Sequence, residues 1–172
     1  MSKPIFKEDM VWRGYAYTME VFDDNDYSKL NNITQVYGFI FNEKGEILVV
    51  KCGHKKEWCL PGGGPEKYDK TWKDTLIREV DEETDVEIKG IMPAGYIRVT
   101  AKDKNESKAK TDFCIRSIAF VKGIKKQTID PANGMINERK FIPVKDFLKY
   151  CPWGENGKVQ LEIAIRAKEA KS

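Results

Sequence analysis

Three consecutive glycines, Gly62, Gly63 and Gly64, stand where one sequence periodicity gives way to another. Ahead of them, 33–41 (ITQVYGFIF) and 46–51 (EILVVK) flank an Asn-Glu-Lys-Gly turn and read as a β-hairpin. Behind them, 71–84 (TWKDTLIREVDEET) reads as a helix, with Trp72, Leu76 and Val80 at i, i+4 and i+8 on one apolar stripe. Thr71 is placed to be its N-cap, and Asp74 stands three residues on, where a capping-box partner belongs. The segment between, 60–70 (LPGGGPEKYDK), is a Gly/Pro loop that excludes regular structure. A strand, a glycine loop and a helix in immediate succession favour a helix packed back on a sheet. Glycines at such a junction also let backbone amides approach a phosphate closely.

The rest of the chain extends this pattern. Residues 10–22 are aromatic-rich and partly alternating, and read as a strand; 23–32 are polar turn material. Strands are expected over 86–101 and 112–124, joined by KDKNESKAKT, a mixed-charge run that reads as a solvated hairpin loop. A loop with Asp130-Pro131 and Asn133-Gly134 follows, and Phe141-Ile-Pro-Val leads into a short helix near 144–150. A C-terminal helix is expected over 157–170, with Val159, Ile163 and Ala167 on one face. The fold class is therefore α/β (α+β), a mixed β-sheet sandwiched between α-helices in one domain over 1–172. The N-terminal 1–32 is an extension whose Trp12, Tyr15 and Tyr17 suit an edge strand, a cap on a pocket or a homodimer contact. Trp153 suits either a core anchor or a pocket wall.

Composition narrows the function. With 30 Lys+Arg against 27 Asp+Glu, the net charge of +3 lacks the basic excess of a nucleic-acid binder. No run of about 18 apolar residues is present, which argues against a membrane protein. The single histidine, His54, leaves too little for a His-based triad or a multi-histidine metal site, so carboxylates or lysines must carry any chemistry. The N-terminal residues show no apolar signal-peptide region, and Cys52, Cys59, Cys114 and Cys151 lack CxxC spacing, so a cytoplasmic location with reduced thiols is expected. Cys52-Gly-His54 with Cys59 has some look of a zinc site, but small buried apolar cysteines are the simpler reading.

Glu79, Glu82 and Glu83 stand at i, i+3 and i+4, within about 100° of one helix face. Alone, such a triple reads as a solvated acidic face. Directly after a glycine loop it reads instead as a divalent-cation site, since Mg²⁺ prefers a few carboxylates together with waters and phosphate oxygens. A metal there would neutralise phosphate charge and lower the pKa of an attacking water. Arg78, next to Glu79, reads as an orienting partner for a glutamate.

These residues resemble the signature of the Nudix hydrolase family, Gly-x5-Glu-x7-Arg-Glu-U-x-Glu-Glu-x-Gly-U with U aliphatic. Gly64, Arg78, Glu79, Val80, Glu82, Glu83 and Val86 match, and Trp58-Cys-Leu-Pro-Gly-Gly is similar to the usual lead-in. Two positions depart. The first glutamate falls on Lys70, or on Asp69 if the motif starts at Gly63 with one extra residue; the family role of that side chain is to brace the arginine and the loop. The final glycine falls on Asp85, where a left-handed backbone is expected after the helix end. The resemblance implies hydrolysis of a nucleoside diphosphate linked to another group, with Mg²⁺ or Mn²⁺ held by Glu79, Glu82 and Glu83, and a nucleotide-type small molecule as substrate. It also points to Glu138 as a further catalytic carboxylate in the loop before the last helix of the core. Substrate contacts are expected from Gly62, Gly63 and Gly64, and from Tyr96 and Arg98, which share a strand face and suit a base and a phosphate. Lys51, Lys55 and Lys56 add positive potential ahead of the loop. The Ser-Gln-Pro-Trp-Pro-Phe-Pro pattern of NADH-directed members is absent. The rival readings are a Nudix-fold nucleotide-binding or regulatory module with little turnover, and a plain interaction domain.

Overall fold

The computed structural model describes residues 2–12, 14–53, 56–102 and 110–171. His54, Lys55 and most of the mixed-charge loop after residue 101 lie outside the described residues. The hairpin ahead of the glycines forms as expected, with β3 over Ile33–Phe41 and β4 over Ile47–Lys51. Its near-continuous apolar run has a simple cause. Phe39, Phe41, Ile47 and Val49 enter one core cluster, whereas Ile40 and Leu48 enter a second on the opposite face. A sheet buried on both faces has no solvent side to alternate with.

One face is covered by α1 (Trp72–Thr84), whose Leu76 and Val80 are fully buried. Each such side chain stabilises the fold by roughly 1.5–3 kcal/mol. The other face is covered by α2 (Phe147–Tyr150) and α3 (Gly154–Glu169), through Phe147, Ile163 and Ala164. The α1 N-terminus carries a complete capping box between Thr71 and Asp74. Two further long strands, β6 (Val86–Ala101) and β7 (Thr111–Ile124), lie at the centre of the sheet. β7 runs parallel to β3 and antiparallel to β6. The result is a mixed sheet between helices.

Three expectations need correction. The aromatic N-terminal segment is not one strand but a hairpin, β1 (Phe6–Trp12) and β2 (Tyr15–Phe22), which turns at Gly14 with φ +83°. Glycine takes that backbone without a Cβ penalty. β2 pairs with β6, and β1 forms the sheet edge. The Gly/Pro loop is not wholly irregular, because Gly62–Gly63 form a short strand, β5, paired with Val36 and Tyr37 of β3. Finally, Glu138–Ile142 form an edge strand, β8, on β4 where a loop was expected. Its charged Glu138, Arg139 and Lys140 hide a strand signal, yet charged side chains are what a protected sheet edge carries. The turn at 23–32 holds a buried residue, Tyr27, whose hydroxyl accepts from Ala94 N (3.1 Å) and lies 2.8 Å from the Gly95 carbonyl oxygen. Among the described residues no helix is long and apolar enough to cross a membrane.

Candidate active site

The glycine strand and α1 meet along Glu79 and Glu83. Gly62 has φ +145°, and a Cβ there would lie 2.1 Å from the Val36 carbonyl oxygen, so the pairing with β3 requires glycine. A Cβ on Gly63 would lie 2.6 Å from the Glu79 carboxyl carbon. The second glycine is thus the space that Glu79 occupies. Glu83 reaches the same loop, its Oε2 accepting from Gly62 N at 2.9 Å. Its Oε1 accepts from the Cys52 thiol, also at 2.9 Å. Contact with Cys59, burial and the Glu83 charge all push the Cys52 pKa up, so this cysteine is a neutral S–H donor.

Arg78 ties these parts together. Its Nε and one Nη bind the Asp69 carboxylate at 3.2 and 2.9 Å. The same Nη donates to the Gly64 carbonyl at 2.9 Å. The other Nη donates to Glu79 Oε1 at 3.0 Å and to Glu82 Oε2 at 3.1 Å. A guanidinium has five N–H donors, and here all five are engaged. Asp69, not Lys70, therefore braces the arginine; Lys70 is exposed. The hydrogen bond from Arg78 is the largest cause holding the Asp69 pKa at about 2. Asp69 also accepts from Glu66 N at 2.8 Å, which shapes the loop ahead of the helix.

The second departure from the signature is resolved as well. Asp85 is left-handed, with φ 50° and ψ 38°. Its carboxylate accepts from Thr128 N at 2.8 Å and Thr128 Oγ1 at 2.7 Å, bonds that glycine would lack. Two residues that sequence reasoning missed secure this end of α1. Asn137 donates to the Glu83 carbonyl at 3.2 Å, and Arg139 donates to the carbonyls of Thr84 and Asp85. Arg139 places a positive charge where the helix dipole is negative.

The carboxylates on α1 face one another across Arg78. Glu79 has its pKa raised, chiefly by burial, with Arg78 opposing. Glu79 and Glu82 each give one oxygen to Arg78 and keep the other without a hydrogen-bond partner among the described residues. These hard oxygen donors suit a divalent cation. No three His, Cys, Asp or Glu side chains among the described residues already surround a common point, because Glu83 is turned to Gly62 and Cys52.

Other expected site residues lie elsewhere. Tyr96 is 1% exposed and stacks on Phe22 at 4.8 Å in the core beneath α1, so no base can reach its ring. Arg98 shares that strand face but is bound to Glu20 on β2 at 2.7 Å. Tyr96 is a core residue of a sheet covered on two sides, which strand parity does not reveal, whereas Arg98 keeps a partly exposed side chain that is committed to Glu20. Glu138 pairs with Lys51 across the β4–β8 ladder, next to Cys52, and sits on a strand rather than in a loop. The four cysteines are free thiols.

A family model for the NUDIX domain matches residues 32–160. The chain belongs to the Nudix hydrolase family. Solved Nudix structures resemble it in fold. A point mutant of the Bacillus subtilis pyrophosphohydrolase BsRppH aligns at TM-score 0.69 and 15% identity, over 96% of this chain and 98% of that one. The NUDIX domain of Shewanella oneidensis NrtR, complexed with ADP ribose, aligns at TM-score 0.56 and 17% identity, over 87% and 95%. A Streptococcus suis ADP-ribose pyrophosphatase aligns at TM-score 0.50 and 20% identity, over 78% and 90%. A comparison with curated proteins finds no significant match. Within the Nudix pattern, Asp69 stands in for the first glutamate and Asp85 for the final glycine, each with hydrogen bonds that account for its presence.

Proposed function

We propose that this Nudix protein hydrolyses a pyrophosphate bond in a nucleoside diphosphate linked to another group, with Mg²⁺ or Mn²⁺ as cofactor. The observation that carries the reading is the saturated Arg78. One guanidinium fixes the Gly64 carbonyl, Asp69, Glu79 and Glu82, so the phosphate-accepting loop and the acidic helix face are held as one unit. Glu79, Glu82 and Glu83 are the residues that would hold the cation. When bound, it supplies charge neutralisation for phosphate oxygens and a lowered pKa for water.

The chain's own residues do the rest. Gly62 and Gly63 let β3 and Glu79 pack close to the loop, and Gly64 is the glycine of the three whose side is least occupied, where a phosphate can approach the backbone. Asp69 and Arg78 position the two α1 carboxylates, Glu79 and Glu82, each of which keeps one oxygen not bonded to the arginine. Cys52 and the Gly62 amide hold Glu83 against the loop. Glu138, paired with Lys51 at the same end of β4 as Cys52, is retained as a supporting carboxylate. The substrate class is supported by the ADP ribose bound in one structural relative and the ADP-ribose pyrophosphatase activity named for another. A small-molecule nucleotide is preferred to a nucleic acid, in keeping with the near-neutral charge balance. The free thiols fit a cytoplasmic setting.

The second reading, nucleotide binding with little turnover, is favoured by one feature. Glu83 has both carboxylate oxygens engaged by Cys52 and Gly62. Incubation with Mg²⁺ and a panel of nucleoside triphosphates, dinucleotides and nucleotide sugars separates the two. Turnover that is lost in Glu82→Gln and Glu83→Gln supports hydrolysis. Ligand binding without turnover, indifferent to both substitutions, supports the binding module.

A further inference from the structure

On the opposite face of the sheet from α1, a cavity of about 690 Å³ opens beside the glycine strand, lined by Tyr37, Trp58, Arg116 and Trp153, with Lys56 and Glu57 also among its lining residues. Its size suits a small-molecule site, for which about 300–1,000 Å³ is usual. Arg116 is the unusual member. It is 8% exposed, lies opposite Tyr37 in the β3–β7 ladder, and has its guanidinium 5.1 Å from the Tyr37 ring centre. Its Nε donates to Gln160 Oε1 at 2.5 Å and one Nη donates to the Ile115 carbonyl at 3.2 Å. Gln160 is itself held by Asn156 at 2.8 Å, so the arginine is supported by neutral amides. No carboxylate among the described residues forms an ion pair with it, and burial pushes its pKa down.

A buried guanidinium without a carboxylate is costly and is retained where its remaining donors have work. Of five N–H groups, two are used, which leaves three for a ligand. Tyr37, Trp58 and Trp153 supply aromatic surface to the cavity wall, which suits a planar heterocycle better than a bare anion. A planar ring that also satisfies an arginine fork must present two acceptors on one edge. Guanine and hypoxanthine do so through O6 and N7, and cytosine through N3 and O2, whereas adenine sets an N6 donor beside N7; among purines the fork therefore selects the keto bases. The position fits as well. Tyr37 pairs its backbone with Gly62, and a Cβ on Gly62 would lie 2.8 Å from the Tyr37 ring. The cavity and the phosphate-accepting loop therefore share a wall.

We propose that Arg116 is a specificity-determining residue, donating to the O6/N7 edge of a keto-purine base seated among Tyr37, Trp58 and Trp153. The inference rests on the reading of the Gly62–Glu83 region as a nucleotide pyrophosphohydrolase site. Calorimetric titration of the full chain with GMP, IMP, AMP, CMP and inorganic pyrophosphate in the presence of Mg²⁺ tests it. Nucleoside monophosphates contain no pyrophosphate bond, so the result is independent of turnover. GMP and IMP are expected to bind at least about tenfold more tightly than AMP, and CMP binding as tight as that of GMP overturns the keto-purine assignment. Arg116→Met and Arg116→Lys are expected to abolish that preference, the lysine variant retaining the charge but not the fork. Equal binding of AMP and GMP by the unsubstituted chain overturns the proposal, and this comparison needs no variant to fold. Pyrophosphate binding that is lost in Arg116→Met, with base preference unchanged, also overturns it and makes the cavity an anion site. A keto-purine preference without hydrolysis of any triphosphate, dinucleotide or nucleotide sugar leaves Arg116 assigned and refutes the hydrolase. Hydrolysis without base preference does the reverse.

Discussion

Replacing Asp69 by alanine separates a bracing carboxylate from an ordinary loop residue. Asp69 accepts two hydrogen bonds from Arg78 and one from Glu66 N, and its side chain is 7% exposed. Its pKa falls from the ordinary 3.8 to about 2, which at about 1.4 kcal/mol per unit corresponds to roughly 2.5 kcal/mol. Screening at a pair this close to the surface reduces the figure to about 1–2 kcal/mol. Thermal melts at pH 7 should therefore show Asp69→Ala about 3–6 °C below the parent. Lys70→Ala should stay within about 0.5 kcal/mol, as exposed substitutions generally do. The sign of the pH dependence is fixed. A carboxyl with a depressed folded-state pKa contributes stability above its unfolded pKa of 3.8 and loses it as the pH falls towards 2. The gap between the parent and Asp69→Asn should thus be full at pH 7 and shrink between pH 4 and about 2. Hydrolysis, if present, should drop roughly 10–100-fold in Asp69→Ala, because Arg78 loses the anchor that orients Glu79 and Glu82. A silent Asp69→Ala, or a Lys70→Ala that destabilises as much, would refute the assignment of Asp69 to the bracing position.

Four further outcomes follow from the geometry. Gly62→Ala should destabilise by about 3 kcal/mol or more in denaturant titrations, because its Cβ strikes backbone at 2.1 Å. Gly63→Ala meets the Glu79 carboxylate rather than backbone, so it should displace that side chain from Arg78, cost less stability than Gly62→Ala and lose activity. At Asp85 the expected order of stability in chemical denaturation is Asp, then Gly, then Ala. Glycine relieves the left-handed backbone but loses the Thr128 bonds, whereas alanine loses the bonds and remains strained by about 1 kcal/mol. Tyr96→Ala should cost about 3–5 kcal/mol of stability with unchanged nucleotide KM in whatever fraction folds, as befits a core ring.

The parts of this protein that local pattern could encode were legible. Leu76 and Val80 marked the buried stripe of α1, and Thr71 with Asp74 marked its start. Gly62 to Gly64 and the glutamates marked the candidate site, because a motif confined to one loop and one helix needs no tertiary information. Residues that act through long-range packing were not legible. Cys52 meets Glu83 only because β4 ends beside α1, and Arg139 reaches the α1 C-terminus from an edge strand. The choice between Asp69 and Lys70 depended on loop length, which spacing left open and the Arg78 fork decides. Tyr96 and Arg98 show the limit of strand parity. Period two placed them on one face, but Tyr96 lies in the core under α1 while Arg98 is partly exposed and bound to Glu20, so a shared face did not mean a shared environment.

The central claim is that the acidic face of α1 performs metal-dependent pyrophosphate hydrolysis. Phosphorus NMR of the products, with Mg²⁺ present or chelated, tests it most directly across the nucleotide panel for the parent, Glu82→Gln and Glu83→Gln. The account predicts cleavage of a nucleoside diphosphate linkage to phosphate monoesters in the parent, abolished by chelation and reduced at least about a hundredfold in both variants. Cleavage that persists in both variants, or no cleavage of any nucleotide by the folded parent with Mg²⁺ or Mn²⁺, would contradict it.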